Sequence, residues 1–329
     1  MKFLCLPGAY GSAKNFGVQL GPFAKHMEDR GLATFTFTQG AHEVQPPRGW
    51  ENYFGARPLY RFVEVGENDA FEVIRRVRHI PRGLSPEATL RLFKADKPFQ
   101  NDWQPFRDAL DGLFKALDDD PEIDGLLGYS EGAMMAACVC AEEHRRWEEQ
   151  GIPRRIKFAI FFAGSPPFVQ EGGDGGGFAA RLADTHGTAI GIPTLHCFGS
   201  NDPLVYSSVA LYNACDPASA QLHDHGLGHL VPRDADNVAR LGDALSDVVA
   251  RIDKEMAEVE AKARGGAETP PPFAAADDYA SAGSGTSATS GSSVVSTAGS
   301  TAGSDLDSRS SHGAEPELEL EDMAKLRLV

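Results

Sequence analysis

The feature that most constrains this chain is five residues long: Gly128-Tyr129-Ser130-Glu131-Gly132. Gly-x-Ser-x-Gly alone says little in a chain with 35 glycines. Its flanks change that. Ile123-Asp124-Gly125-Leu126-Leu127 before it reads as a buried strand, and Ala133-Met134-Met135-Ala136-Ala137 after it as a helix of small residues. A strand that becomes a helix across so short a bend forces the central residue into a strained conformation and exposes its hydroxyl. The two glycines allow the close packing this bend requires. The plainer alternative is an ordinary glycine-rich turn with a bystander serine, and the strand and helix on either side weigh against it.

A serine hydroxyl is a weak nucleophile at neutral pH. It needs a base to take its proton and a third group to orient that base. Where the serine sits on such an elbow, the acid and the histidine follow it in chain order. Asp202, in Phe198-Gly199-Ser200-Asn201-Asp202-Pro203-Leu204, lies just past an apolar strand and is the expected acid. Its bland reading is a turn residue before Pro203. His229, in Gly226-Leu227-Gly228-His229-Leu230-Val231-Pro232, is the expected base. Two rivals, His223 and His225, lie upstream; His223 falls on a strand, and His225 remains within reach. The triplet His223-Asp224-His225 hints at metal, but no other ligand cluster supports it, so no metal and no cofactor are expected. A tetrahedral intermediate also needs two N–H donors. Glu131 is the expected first donor. The turn Pro7-Gly8-Ala9-Tyr10 supplies the second, with Ala9 preferred over Tyr10 and Pro7 excluded for lack of an N–H.

Elsewhere the chain alternates strands and helices, which predicts a mostly parallel, doubly wound sheet. Strands are expected at 2–6, Leu32 to Thr38, Ile123 to Gly128, Ile156 to Phe162, Pro193 to Phe198 and Ala218 to His223. Helices are expected at 13–30, Asp102 to Leu117, Glu131 to Glu149, Ser207 to Cys215 and Pro232 to Arg264. Gly40 to Pro58 and Gly164 to Phe178 read as loops, and Asn68 to Arg78 and Ser85 to Phe93 as further helices. The stretch from about 40 to 100 is expected to be a cap-like insertion, because a long irregular segment in a compact domain is usually functional. Trp50, Tyr53, Phe54, Tyr60 and Phe62 within it, with Tyr10, are candidates to line a substrate pocket; for each, burial as cap core is the bland reading.

The domain is expected to span 1–264. From Gly265 onward Gly, Ser, Ala, Thr and Pro dominate, with ten acidic residues against three basic ones, and this tail is expected to be disordered. Glu315 to Val329 reads as a solvated end, with a short docking helix as the alternative. The formal net charge of −16 disfavours binding to nucleic acid or anionic membrane through bulk electrostatics. No run approaches the ~20 apolar residues of a membrane span. The five scattered cysteines suit a reducing, cytoplasmic setting.

The quoted pieces resemble the fungal serine hydrolase (FSH) family, also called the ovarian-cancer-gene-2-like hydrolases, whose polyketide-cluster members look most similar. Phe3-Leu4-Cys5-Leu6-Pro7-Gly8, Gln19-Leu20-Gly21-Pro22, Thr34-Phe35-Thr36-Phe37, the elbow, the Asp202 turn and Gly228-His229-Leu230-Val231-Pro232 carry the resemblance over residues 1 to about 250. One departure is Pro7-Gly8, where the family reads His-Gly. The resemblance implies the α/β-hydrolase fold and cofactor-free ester or thioester hydrolysis. It also implies a small-molecule or carrier-protein-bound acyl substrate, with a polyketide synthase acyl-carrier domain as a partner in fungal secondary metabolism. Acyl transfer to another acceptor on the same scaffold, or an inactive binding protein that docks through its tail, are the alternatives.

Overall fold

The computed structural model describes residues 1–46, 48–51, 53–63, 81, 83–95, 103–171 and 176–265. Six strands form one parallel sheet: β1 (Lys2–Leu6), β2 (Thr34–Phe37), β5 (Gly125–Tyr129), β6 (Phe158–Phe162), β9 (Thr194–Phe198) and β10 (Ala220–Asp224). Their spatial order is β10-β9-β6-β5-β1-β2. The chain thus winds outward from β1 in one direction, then crosses back and winds outward in the other. The reversal falls between β1 and β5, the crevice where open α/β sheets place their sites.

The central strands are apolar because both faces are covered. Every residue of β6 and β9 is buried. Alternate side chains of β1 go to opposite faces: Leu4 and Leu6 join one core, Phe3 and Cys5 the other. The first face is covered by helices α3 (Gln104–Asp119) and α4 (Glu131–Gln150). The second is covered by α1 (Ala13–Asp29) and by α7 (Ala235–Gly265). Helix α4 lies close on the sheet because Ala133, Ala136, Ala137 and Ala141 have almost no side chain to hold it off. Helices α2 (Pro86–Ala95), α5 (Ala183–His186) and α6 (Val205–Asn213) complete the described helical elements.

The two expected loops are in part strands. Gly40 to Pro58 contains β3 (His42–Val44), which pairs antiparallel with β4 (Leu59–Arg61). Gly164 to Phe178 contains β7 (Phe168–Gln170), paired with β8 (Phe178–Ala180). Each strand has three residues, too few for an alternation to register. The last helix starts at Ala235 rather than Pro232, after Asp234 accepts the Asn237 N–H at 2.9 Å. The expected helix Asn68 to Arg78, the tail from residue 266 and the segment Glu315 to Val329 lie outside the described residues. Among the described residues no helix is long and apolar enough to cross a membrane. All five cysteines are free and buried.

Candidate active site

Among the described residues three non-glycine positions have positive φ: Tyr10 at 60°, Ser130 at 53° and Ala163 at 48°. They follow β1, β5 and β6, neighbours in the sheet, so the backbone strain gathers beyond the C-terminal ends of three adjacent interior strands. Ser130 takes the sharpest role. Its N–H continues the ladder, donating to Phe162 O at 2.9 Å, while its carbonyl accepts the Met134 N–H at 3.1 Å and starts α4. One residue therefore ends a strand and begins a helix. A Cβ on Gly128 would lie 2.4 Å from Ala133 Cα, and one on Gly132 would lie 2.2 Å from Leu6 O. Only glycine fits either position, which explains why both flank the serine.

The structure brings Ser130, His229 and Asp202 together. His229 Nε2 is 2.9 Å from Ser130 Oγ, and His229 Nδ1 is 2.7 Å from Asp202 Oδ2. Asp202 is fully buried at its side chain, and His229 is 22% exposed, so the acid is shielded while the base borders the open side. The other carboxylate oxygen of Asp202 accepts the Leu204 N–H at 2.7 Å. The acid and base loops are laced to each other. Asp224 accepts the Ser200 N–H at 2.9 Å, and the Asn201 side-chain amide donates to Gly226 O at 2.6 Å. A further tie runs from the nucleophile turn: the Tyr129 hydroxyl donates to the His229 carbonyl at 2.9 Å.

The rival histidines have other work. His223 Nε2 meets Asn237 Oδ1 at 2.8 Å, and His225 Nδ1 accepts the Leu227 N–H at 3.2 Å. Burial lowers the His225 pKa, so that ring is held neutral. The triplet His223-Asp224-His225 is thus used for loop structure, and no group of three metal-ligating side chains occurs among the described residues.

The turn after β1 lies against the serine. Gly11 N–H donates to Gly8 O at 3.0 Å, which makes Ala9 and Tyr10 the central pair of a tight turn. A Cβ on Gly8 would stand 3.2 Å from Ser130 Cβ. Gly8 therefore sits beside the nucleophile with Ala9 next in the turn, and Glu131, first residue of α4, follows the serine in the chain. The N–H groups of Ala9 and Glu131 are in the two segments from which an oxyanion is held in this chemistry.

Of the expected pocket aromatics, four form one cluster. Tyr10 and Phe54 have ring centroids 4.7 Å apart, Trp50 and Tyr53 4.7 Å, and Tyr53 and Phe54 5.0 Å. Trp50 and Tyr10 are buried, whereas Tyr53 is 49% exposed. Phe62 is buried and belongs to the core cluster that residues of α3 and α4 also join, the plainer of its two readings. Tyr60 works through its backbone, whose N–H donates to Gly11 O at 3.1 Å. Asn15 at the start of α1 grips the aromatic segment, donating to Phe54 O at 3.2 Å and Ala56 O at 2.8 Å. Sequence reasoning passed over Asn15, the Tyr129 hydroxyl and Arg61. Each acts on a residue distant in the chain, and no local pattern marks it.

A family model described as "Serine hydrolase (FSH1)" matches residues 1–241. Esterase FPY3 of Fusarium mangiferae is 36% identical over 126 residues, which span 38% of this chain and 56% of that protein. Hydrolase phiM of Talaromyces stipitatus is 27% identical over 237 residues, covering 71% of this chain and 82% of the relative. Human esterase OVCA2 is 26% identical over 240 residues, covering 70% and 89%. Among solved structures, Arabidopsis thaliana SOBER1 superposes with a TM-score of 0.45 at 14% identity, over 76% of this chain and 99% of the other. With the strand order, the elbow and a family match over most of the described residues in hand, the chain belongs to the serine hydrolase (FSH1) family.

Proposed function

We propose that the chain hydrolyses esters or thioesters through Ser130, His229 and Asp202. The observation that carries this reading is the unbroken line of hydrogen bonds from Ser130 Oγ through both ring nitrogens of His229 to Asp202. Ser130 Oγ bonds to the substrate carbonyl carbon as its proton passes to His229 Nε2. Asp202 holds the ring in orientation and stabilises the imidazolium. The carbonyl oxygen takes the negative charge and is held by the N–H groups of Ala9 and Glu131. The C–O or C–S bond then breaks, and His229 returns the proton to the leaving alcohol or thiol. Water attacks the acyl-serine, its proton goes to His229, and collapse frees the acid and restores Ser130.

The acyl group is proposed to be a polyketide or related chain delivered as a carrier-protein thioester. Support comes from the family, and from the cluster of Tyr10, Trp50, Tyr53 and Phe54, whose Tyr10 belongs to the turn beside Ser130. Flat or extended apolar acyl groups match such a wall better than short polar ones. The test is turnover of p-nitrophenyl esters and acyl N-acetylcysteamine thioesters by the full chain and by Ser130→Ala. The expected result is loss of turnover in a folded variant. Turnover by Ser130→Ala equal to that of the parent sinks the mechanism, and preference for acetyl over aromatic or long acyl groups sinks the substrate class.

A further inference from the structure

Arg61, the last residue of β4, reaches the residue that follows the nucleophile. Its Nε and one terminal nitrogen both lie 3.3 Å from Glu131 Oε1. The second carboxylate oxygen accepts the Phe62 N–H at 3.4 Å. The two side chains are 16% and 8% exposed. The guanidinium carbon also stands 5.7 Å from the centre of the Tyr10 ring. One cation thus touches both segments that flank Ser130: the first turn of α4 and the turn after β1.

Burial raises the Glu131 pKa, and Arg61 opposes that shift. The position matters more than the pair. Glu131 is the residue whose backbone N–H is assigned to the oxyanion, so its side chain stems from the same residue that faces the developing negative charge. Inside a protein, like charges repel more strongly than in water. A carboxylate without a partner there would oppose formation of the tetrahedral intermediate.

We propose that Arg61 is a positioning residue of the reaction: it holds the Glu131 carboxylate as half of a neutral pair, so that the oxyanion forms beside no net negative charge. The proposal rests on the Ser130 mechanism given above. It joins the arm β3–β4 to the chemical step, and not only to substrate binding.

The test compares the loss on removing Arg61 in two backgrounds. Arg61→Met in the parent is expected to lower kcat by about 10- to 100-fold while KM changes by less than about three-fold, the pattern of an interaction made only in the transition state. In an Glu131→Gln background the same Arg61→Met change is expected to lower kcat by less than about five-fold, because no charge is left to compensate. Arg61→Lys, which keeps the cation, is expected to stay within about five-fold of the parent. Equal losses in both backgrounds overturn the proposal, since a merely structural role does not depend on the charge at 131. If Arg61→Met does not fold in the parent, Arg61→Lys and the double variant decide. A ten-fold loss in either relative to its own background, or a double variant that fails to fold, overturns it. Labelling by a fluorophosphonate probe separates the two levels. A parent chain that is not labelled at Ser130 fails the mechanism itself, whereas labelling with equal losses fails the Arg61 role alone.

Discussion

The six-stranded sheet and the arm β3–β4 are built by different physics. In the sheet, β6 and β9 are buried at every position, with helices on both faces. In the arm, β3 has no buried residue and β4 has one, Leu59. The sheet is held by contiguous apolar burial. The arm is held by a few polar ties: Asn15 on Phe54 O and Ala56 O, Tyr60 N–H on Gly11 O, and Glu131 on Arg61 and Phe62. The lesson is a division of labour. The scaffold fixes where Ser130, Asp202 and His229 stand, and the arm reaches the residue after the serine through Arg61.

This contrast predicts that changes in the sheet and the turns at its strand ends are severe and general, while changes in the arm are milder and depend on substrate. The largest effect is expected for Asp202→Asn. It keeps the shape but takes the anionic acceptor from His229 Nδ1, and kcat is expected to fall by about 10³- to 10⁴-fold with the fold intact. Steady-state kinetics with a p-nitrophenyl ester measure it, and a loss below ten-fold would place the orienting acid elsewhere. Next is Gly132→Ala. Its Cβ would meet the Leu6 and Pro7 carbonyl oxygens at 2.2 and 2.4 Å, backbone atoms of a central strand that cannot give way. A stability loss of about 3 kcal/mol is expected in urea unfolding, together with lost activity.

Stability is also expected to depend on pH, chiefly through a buried histidine of the sheet. His196 of β9 is 1% exposed, its Nε2 bonds Thr194 Oγ1 at 3.0 Å, and its ring packs against Phe161 and Tyr212. Burial lowers its pKa from 6.5 to about 3. Between those values the unfolded chain binds a proton that the folded chain refuses. Stability is therefore full above pH 6.5 and falls as pH drops toward about 3, by on the order of 1 kcal/mol per pH unit. Burial lowers His144 and His225 as well, so they add to the slope with the same sign. Urea unfolding at pH 7 and pH 5 measures the total, and His196→Leu is expected to flatten it. An unchanged slope in that variant would assign the effect to the other histidines.

In the arm the expected effects are smaller. Phe54→Ala removes the ring that packs against Tyr10, and kcat/KM is expected to fall by about ten-fold for apolar acyl groups, the worth of one partly buried aromatic. Acetyl esters are expected to be nearly unaffected; an equal loss for both would make Phe54 a structural residue. Tyr129→Phe is the mildest. It removes the hydroxyl that donates to His229 O, a bond worth about 1 kcal/mol, or about five-fold in kcat. A loss confined to stability, with kcat unchanged, would show that this bond anchors the loop without aiming the ring.

The same contrast explains what was legible. A strand buried on both faces must be a continuous apolar run, so Ile156 to Phe162 and Pro193 to Phe198 announced β6 and β9 to within two residues. Three-residue strands carry no such run, so β3 and β7 fall inside expected loops and β4 and β8 are not among the expected strands. From sequence His225 stays within reach beside the expected base His229; the 2.9 Å from His229 Nε2 to Ser130 Oγ decides between them.

By itself the sequence determined the layered sheet, the elbow at Ser130 and the chain order of acid and base, because each depends on residues adjacent in the chain or on a repeating burial pattern. Tertiary structure alone decided which histidine faces the serine, that Phe62 is core, and that Arg61 meets Glu131 across seventy positions of chain. Such pairings depend on where the fold places two segments, and a single side chain bears no local mark of a partner that distant.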